Sequence, residues 1–156
     1  MSTADITGRL ARYMVEARER TLAPHVAREA KHRILDTLAA MVSGADLKPG
    51  EMAIRYARAQ GGVAEATVLT TDIKTSAVNA GLVNGMFAHA DETDDFEPVT
   101  KAHPGCAVVP AALAMAEREG RSGAELLSAV ALGYDVCCRF LLALGPELVR
   151  ATHRSA

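Results

Sequence analysis

Residues 89–105 read HADETDDFEPVTKAHPG. Five carboxylates, Asp91, Glu92, Asp94, Asp95 and Glu97, fall within seven positions, and His89 and His103 bracket them. Paired imidazole and carboxyl groups are side chains that general acid–base catalysis uses, because an imidazole titrates close to neutrality and a carboxylate can orient it or share its proton. His103 stands directly before Pro104-Gly105. A proline at that point suits the first turn of a helix. The free N–H groups and partial positive charge of a helix start favour an anionic ligand. An acidic run is ordinarily a solvated face. Here very apolar sequence on both sides anchors the ends of the run in the core.

Other chemistries fit less well. Asp91, Thr93 and Asp95 occupy positions one, three and five of a would-be calcium loop. Phe96 then stands where glycine is needed and Ala102 where a bidentate glutamate is needed, which excludes an EF-hand. HExxH, P-loop and dinucleotide fingerprints are absent. A transition-metal site built from histidine and carboxylate stays open. Cys106, near the same helix start, is either a nucleophile or a small buried residue, and burial is the simpler reading. Cys137 and Cys138 read as core, and His25 and His32 as surface.

The elements that must position this loop read as helices. Ile6, Leu10, Tyr13, Met14 and Ala17 recur at spacings of three and four over residues 5–21. A second helix starts at Pro24, carries Val26, Ala30, Ile34, Leu38 and Met41 as its apolar stripe, and ends near Gly44. Residues 50–60 form a third, closed by Gly61-Gly62. EATVLTT, 65–71, is the one β-leaning run; short and isolated, it reads as an extended connector or edge piece. Residues 75–89 return to helix, and their small residues Ala77, Ala80, Gly81, Asn84, Gly85 and Ala88 imply a neighbour packed very close. After the acidic loop, 104–119 reads as a buried helix in which Pro104 and Pro110 both suit a first turn better than an interior. Ser122 and Glu125 make a capping box that opens a last long helix, and Gly145-Pro146 ends it. The chain is thus expected to be all-α, with about six helices, and to keep 91–103 as a loop.

Composition narrows the function. At 156 residues, 49% of them hydrophobic, the chain can bury a core. A net charge of -2 gives no electrostatic case for nucleic acid or an anionic membrane. No unbroken apolar run of about 18 residues is present to span a bilayer. The N-terminal residues show no signal-peptide pattern. Three cysteines without a CxxC suit a reducing, cytoplasmic compartment. The helices at 104–119 and 122–144 are apolar on most faces, so they need more cover than a chain of this size supplies. The expectation is a tight oligomer or a truncated or split chain.

Three ordered blocks, NGMFAHADETDD, HPGCAVVPAALAMAE and GYDVCCRF, closely resemble the MmgE/PrpD family. Asn84, Gly85, His89, Asp94 and Asp95 match its first motif, and His103-Pro104-Gly105 its second. The first loop acid is Glu92, or Asp91 with a one-residue shift, and Phe96 stands where many members have threonine. The resemblance implies that residues 1–156 are the N-terminal portion of a helical domain, without the lid domain that completes the active site. It implies lyase chemistry on a small polycarboxylate without a metal or organic cofactor, with dehydration of the 2-methylcitrate type ahead of decarboxylation or epimerisation. His103 and His153 would be the acid–base pair. Asp91 or Glu92 would orient a histidine or hold a substrate hydroxyl. Asp94, Asp95, Lys101 and His89 would bind substrate, and Lys101 or Arg139 would offset the loop acids. A homodimer, or a partner chain carrying the lid, is the expected partner. The rival reading is a non-catalytic helical fragment that serves as a dimerisation scaffold.

Overall fold

The computed structural model describes residues 5–145 and 147. Six helices form: α1 Ile6–Arg18, α2 Pro24–Ala45, α3 Lys48–Gln60, α4 Ala77–Ala88, α5 Pro104–Arg118 and α6 Gly123–Leu144. A two-stranded hairpin, β1 Ala66–Thr67 and β2 Lys74–Thr75, links α3 to α4. The domain is therefore helical apart from this minimal sheet, as the periodicity predicts. His153 lies outside the described residues.

Local sequence explains most of the ends. Pro24 fills the first turn of α2, where its missing N–H costs nothing. The Ser76 hydroxyl accepts the Asn79 N–H to cap α4. Ser122 and Glu125 close a reciprocal capping box on α6. Gly61 ends α3 at φ 60°, a conformation that costs glycine nothing.

Helix α4 is the axis of the domain and packs against α2, α3 and α5. Phe87 and Val83 of α4 are buried with Met41 of α2, Val68, Val109 of α5 and Val130 of α6. The small residues of α4 admit these neighbours. A Cβ at Gly85 would stand 3.0 Å from the Cys106 carbonyl oxygen of α5. Asn84 is buried, but its work is structural: its side-chain oxygen accepts the Leu69 N–H and its amide donates to the Thr67 carbonyl, each at 2.9 Å. It thereby fixes the hairpin to α4.

Three local readings change. Pro110 is buried inside α5, not in a first turn. The missing Pro110 N–H would have met the carbonyl four residues back, at Cys106, and that is the carbonyl α4 approaches through Gly85. Gly44 is the penultimate residue of α2, at the end the sequence predicts. A Cβ there would collide with the Phe87 carbonyl, so close approach to α4 demands the glycine. The 65–71 run is not isolated, because Ala66 pairs with Thr75 and Thr67 with Lys74. The partner strand is too short and polar to signal itself. Finally, α6 reaches a mean hydropathy of 1.7, so by length and composition alone it is apolar enough to cross a membrane. It escaped the unbroken-run criterion because Asp135 and Arg139 interrupt it. In the fold these two pair with each other at 2.9 Å, and Asp135 accepts the Tyr13 hydroxyl of α1 at 2.6 Å.

Candidate active site

The acidic loop leaves α4 at His89 and enters α5 at Pro104. Its five acids separate into three kinds. Asp91 and Glu97 hold the loop together. Asp91 accepts the Ser43 hydroxyl of α2 at 2.6 Å and the Thr93 hydroxyl at 2.8 Å. The Ser43 bond, then the Thr93 bond, holds its carboxyl below the usual range. Glu97 accepts the Thr100 hydroxyl at 2.6 Å and the N–H groups of Thr100 and Val99 at 2.7 and 3.1 Å. These bonds, Thr100's first, also lower its pKa. Glu92 is solvent-exposed at φ 54°. Asp94 and Asp95 turn inward and are buried.

Asp95 ties four segments together. One oxygen accepts the Gly105 N–H at 2.9 Å and the other accepts the Tyr134 hydroxyl of α6 at 2.8 Å. The Arg33 guanidinium of α2 stands 4.0 Å away. His103 is the N-cap residue of α5, yet its side chain makes no capping bond. Asp95 performs that service from ten residues upstream, which leaves the His103 ring free. The helix start is correspondingly less open to an anion than its sequence implies: Pro104 has no N–H, and that of Gly105 is taken.

Asp94 faces the two histidines. His89 Nδ1 lies 3.1 and 3.2 Å from its two oxygens, and His103 Nδ1 lies 3.5 Å from Oδ1. The imidazole centroids are 5.2 Å apart at 65°, an edge-to-face pair. The His103 side chain is 29% exposed while its Nδ1 is shut off from solvent, so the exposure belongs to the rest of the ring. Phe96 packs beside that ring at 5.4 Å, and the Lys101 ammonium lies 5.4 Å from the Phe96 centroid. The arrangement can hold one imidazole in a fixed orientation and offer its outer edge to a ligand. Cys106 is a poor nucleophile here. Burial first, and the nearby Asp94 charge second, push its thiol up to about 12.

The structure thus gathers His89, His103 and Asp94, with Asp95 beneath them and Lys101 at the rim. It does not bring Asp91 or Glu92 to the histidines. Arg139 is engaged with Asp135 and Tyr13 rather than with the loop. Sequence reasoning missed Arg33, Thr37 and Tyr134. A tyrosine on an otherwise apolar helix was the one available signal, since a buried hydroxyl needs a partner.

Comparison with known proteins assigns the chain. The MmgE/PrpD N-terminal domain matches residues 8–156, so the chain belongs to the MmgE/PrpD family. A curated relative, the cis-aconitate decarboxylase-like protein oryM of Aspergillus oryzae, is 24% identical over 138 residues. The match covers 84% of this chain and 29% of that protein's length, so the chain spans under a third of its relative.

Proposed function

We propose that this chain supplies the acid–base centre of an MmgE/PrpD-type lyase acting on a small polycarboxylate, with His103 as the group that moves the proton. The observation that carries the reading is the buried Asp94 facing two imidazoles at the start of α5. Asp94 orients the rings. Lys101, beside the same Phe96 that flanks His103, meets a substrate carboxylate. In elimination of water, His103 takes a proton from the carbon next to a carboxylate. The C–H electron pair becomes the new double bond, and the hydroxyl leaves with a proton from a second acid. His153 fills that second role in this reading.

The relative's name favours a second reading, decarboxylation. Loss of carbon dioxide leaves a carbanion, and the same histidine, protonated beforehand, delivers the proton to it.

The test is turnover of 2-methylcitrate, citrate and cis-aconitate by the chain in its full natural reading frame, with the unsaturated product and released carbon dioxide measured separately. His103→Ala lowers kcat by about 10²–10⁴-fold, the usual worth of one positioned acid–base group. His25→Ala and His32→Ala, on the exposed face of α2, leave it unchanged. A folded His103→Ala variant with native turnover overturns the assignment. Absence of turnover with all three substrates favours a non-catalytic helical scaffold.

A further inference from the structure

We infer that Tyr134 is a positioning residue for His103, acting on it through Asp95 and the first turn of α5. The chain of contacts is short. The Tyr134 hydroxyl of α6 donates to one Asp95 oxygen at 2.8 Å, and the other oxygen accepts the Gly105 N–H at 2.9 Å. Gly105 stands two residues after His103, in the turn that His103 opens. Asp95 is buried, so both hydrogen bonds are sheltered from water and hold their geometry.

The preceding residue, Asp94, addresses the same histidine from its other side. Asp94 Oδ1 lies 3.5 Å from His103 Nδ1, and among the described residues no other carboxylate comes within 4.0 Å of a His103 nitrogen. That Nδ1 is buried without a hydrogen-bond partner. The gap exceeds the usual N–H···O range, so a shift of about half an ångström decides whether the bond forms. Two adjacent carboxylates thus set one imidazole: Asp94 faces its ring, and Asp95 holds the backbone that carries it. The Arg33 guanidinium stands 4.0 Å from the Asp95 oxygen that Tyr134 occupies. Without the Tyr134 hydroxyl, Asp95 is free to swing toward Arg33, and the start of α5 moves with it.

Tyr134→Phe isolates this contact, because it keeps the aromatic ring and removes no charge. Burial first, and the hydrogen bond to Asp95 second, push the Tyr134 pKa well above its ordinary value, so its hydroxyl is neutral even in alkaline solution. The groups that face the His103 ring are Asp94, His89 and Phe96, and the substitution alters none of them. A changed His103 ring in this variant therefore reports changed geometry.

The effect on turnover rests on the lyase reading, whereas the effect on the ring does not. The test uses the chain in its full natural reading frame. Nitrogen NMR of labelled histidines at alkaline pH, where an imidazole is neutral, reads the His103 tautomer, with His103→Gln to assign the signals. We expect two well-separated ring nitrogens in the native protein, one fixed tautomer with its N–H on Nδ1 toward Asp94. In Tyr134→Phe they converge toward an average. With whichever of the three polycarboxylates the native enzyme turns over, Tyr134→Phe lowers kcat by about 10–100-fold and leaves KM within about twofold, the effect of a misplaced but present catalytic group. Asp95→Asn, which keeps an acceptor for the Gly105 N–H and a hydrogen bond to Tyr134, restores most of the turnover that Asp95→Ala loses. Ser122→Ala, which weakens α6 at its N-terminus away from the site, leaves both readouts native. Circular dichroism establishes that each variant is folded. The proposal is overturned by an averaged His103 tautomer in the native protein, by native nitrogen signals or native kcat in folded Tyr134→Phe, or by equal effects from Ser122→Ala. If the native enzyme turns over none of the three compounds, the lyase reading fails by itself and the nitrogen signals decide the positioning.

Discussion

The Asp95 carboxylate accepts the Gly105 N–H at 2.9 Å, and the Gly105 Cα faces that same carboxylate with no room for a side chain between them. A Cβ at residue 105 would stand 2.5 Å from Asp95 Oδ1, 2.6 Å from the Thr37 hydroxyl and 2.9 Å from the Tyr134 hydroxyl. Those three groups come from the loop, α2 and α6. Glycine here is therefore a packing requirement of the site's floor.

Gly105→Ala should lower stability by about 1–3 kcal/mol, the usual cost of forcing extra atoms into a filled space. Thermal or urea unfolding measures it. An unchanged midpoint would show that the polar cradle under α5 yields freely.

Asp95 and Tyr134 should be energetically coupled. Asp95→Ala leaves a buried N–H and a hydroxyl without their acceptor, at about 1–3 kcal/mol per orphaned group. Tyr134→Phe removes one of those orphans in advance. A double-mutant cycle should return a coupling of about 0.5–3 kcal/mol. Strict additivity would mean that the 2.8 Å bond contributes nothing.

Glu97 should make the loop acid-sensitive. Its folded pKa lies below the unfolded value near 4.5, because Thr100 and Val99 donate to the carboxylate. Stability from these bonds is fully present above the unfolded pKa and is lost as pH falls through the lower folded value. The stability difference between the native chain and Glu97→Gln should hold constant near neutrality and shrink below pH 4.5. A difference that is flat with pH would contradict the assignment.

Ser122→Ala should cost about 1 kcal/mol, since it opens the capping box of α6, while Ser122→Gly should cost only a few tenths. Equal losses would show that the cost does not come from the capping bond.

The isolated chain should self-associate. Leu35 and Val42 of α2, Val78 and Leu82 of α4, and Phe140 and Leu142 of α6 are all exposed. Apolar surface of this extent favours association. Light scattering at high micromolar concentration checks it, and a clean monomer would contradict it.

The sequence by itself determined the helices. Their apolar periodicity, the Ser122–Glu125 box, Pro24 and the glycines at 61 and 145 are local signals, and local chemistry is enough to act on them. It also determined that imidazole and carboxyl groups share one loop between two apolar helices. It could not rank the five acids, because that ranking rests on partners far along the chain. Ser43 draws Asp91 outward to α2 across 48 residues, and Tyr134 holds Asp95 inward across 39. Glu92, with no such partner among the described residues, stays in solvent. The same holds for Pro110: it looks like a helix boundary in its own neighbourhood, and only the close approach of α4 explains it inside a helix. Tertiary structure alone decided which carboxylate faces the histidines, since burial of a charge depends on the groups that surround it in space.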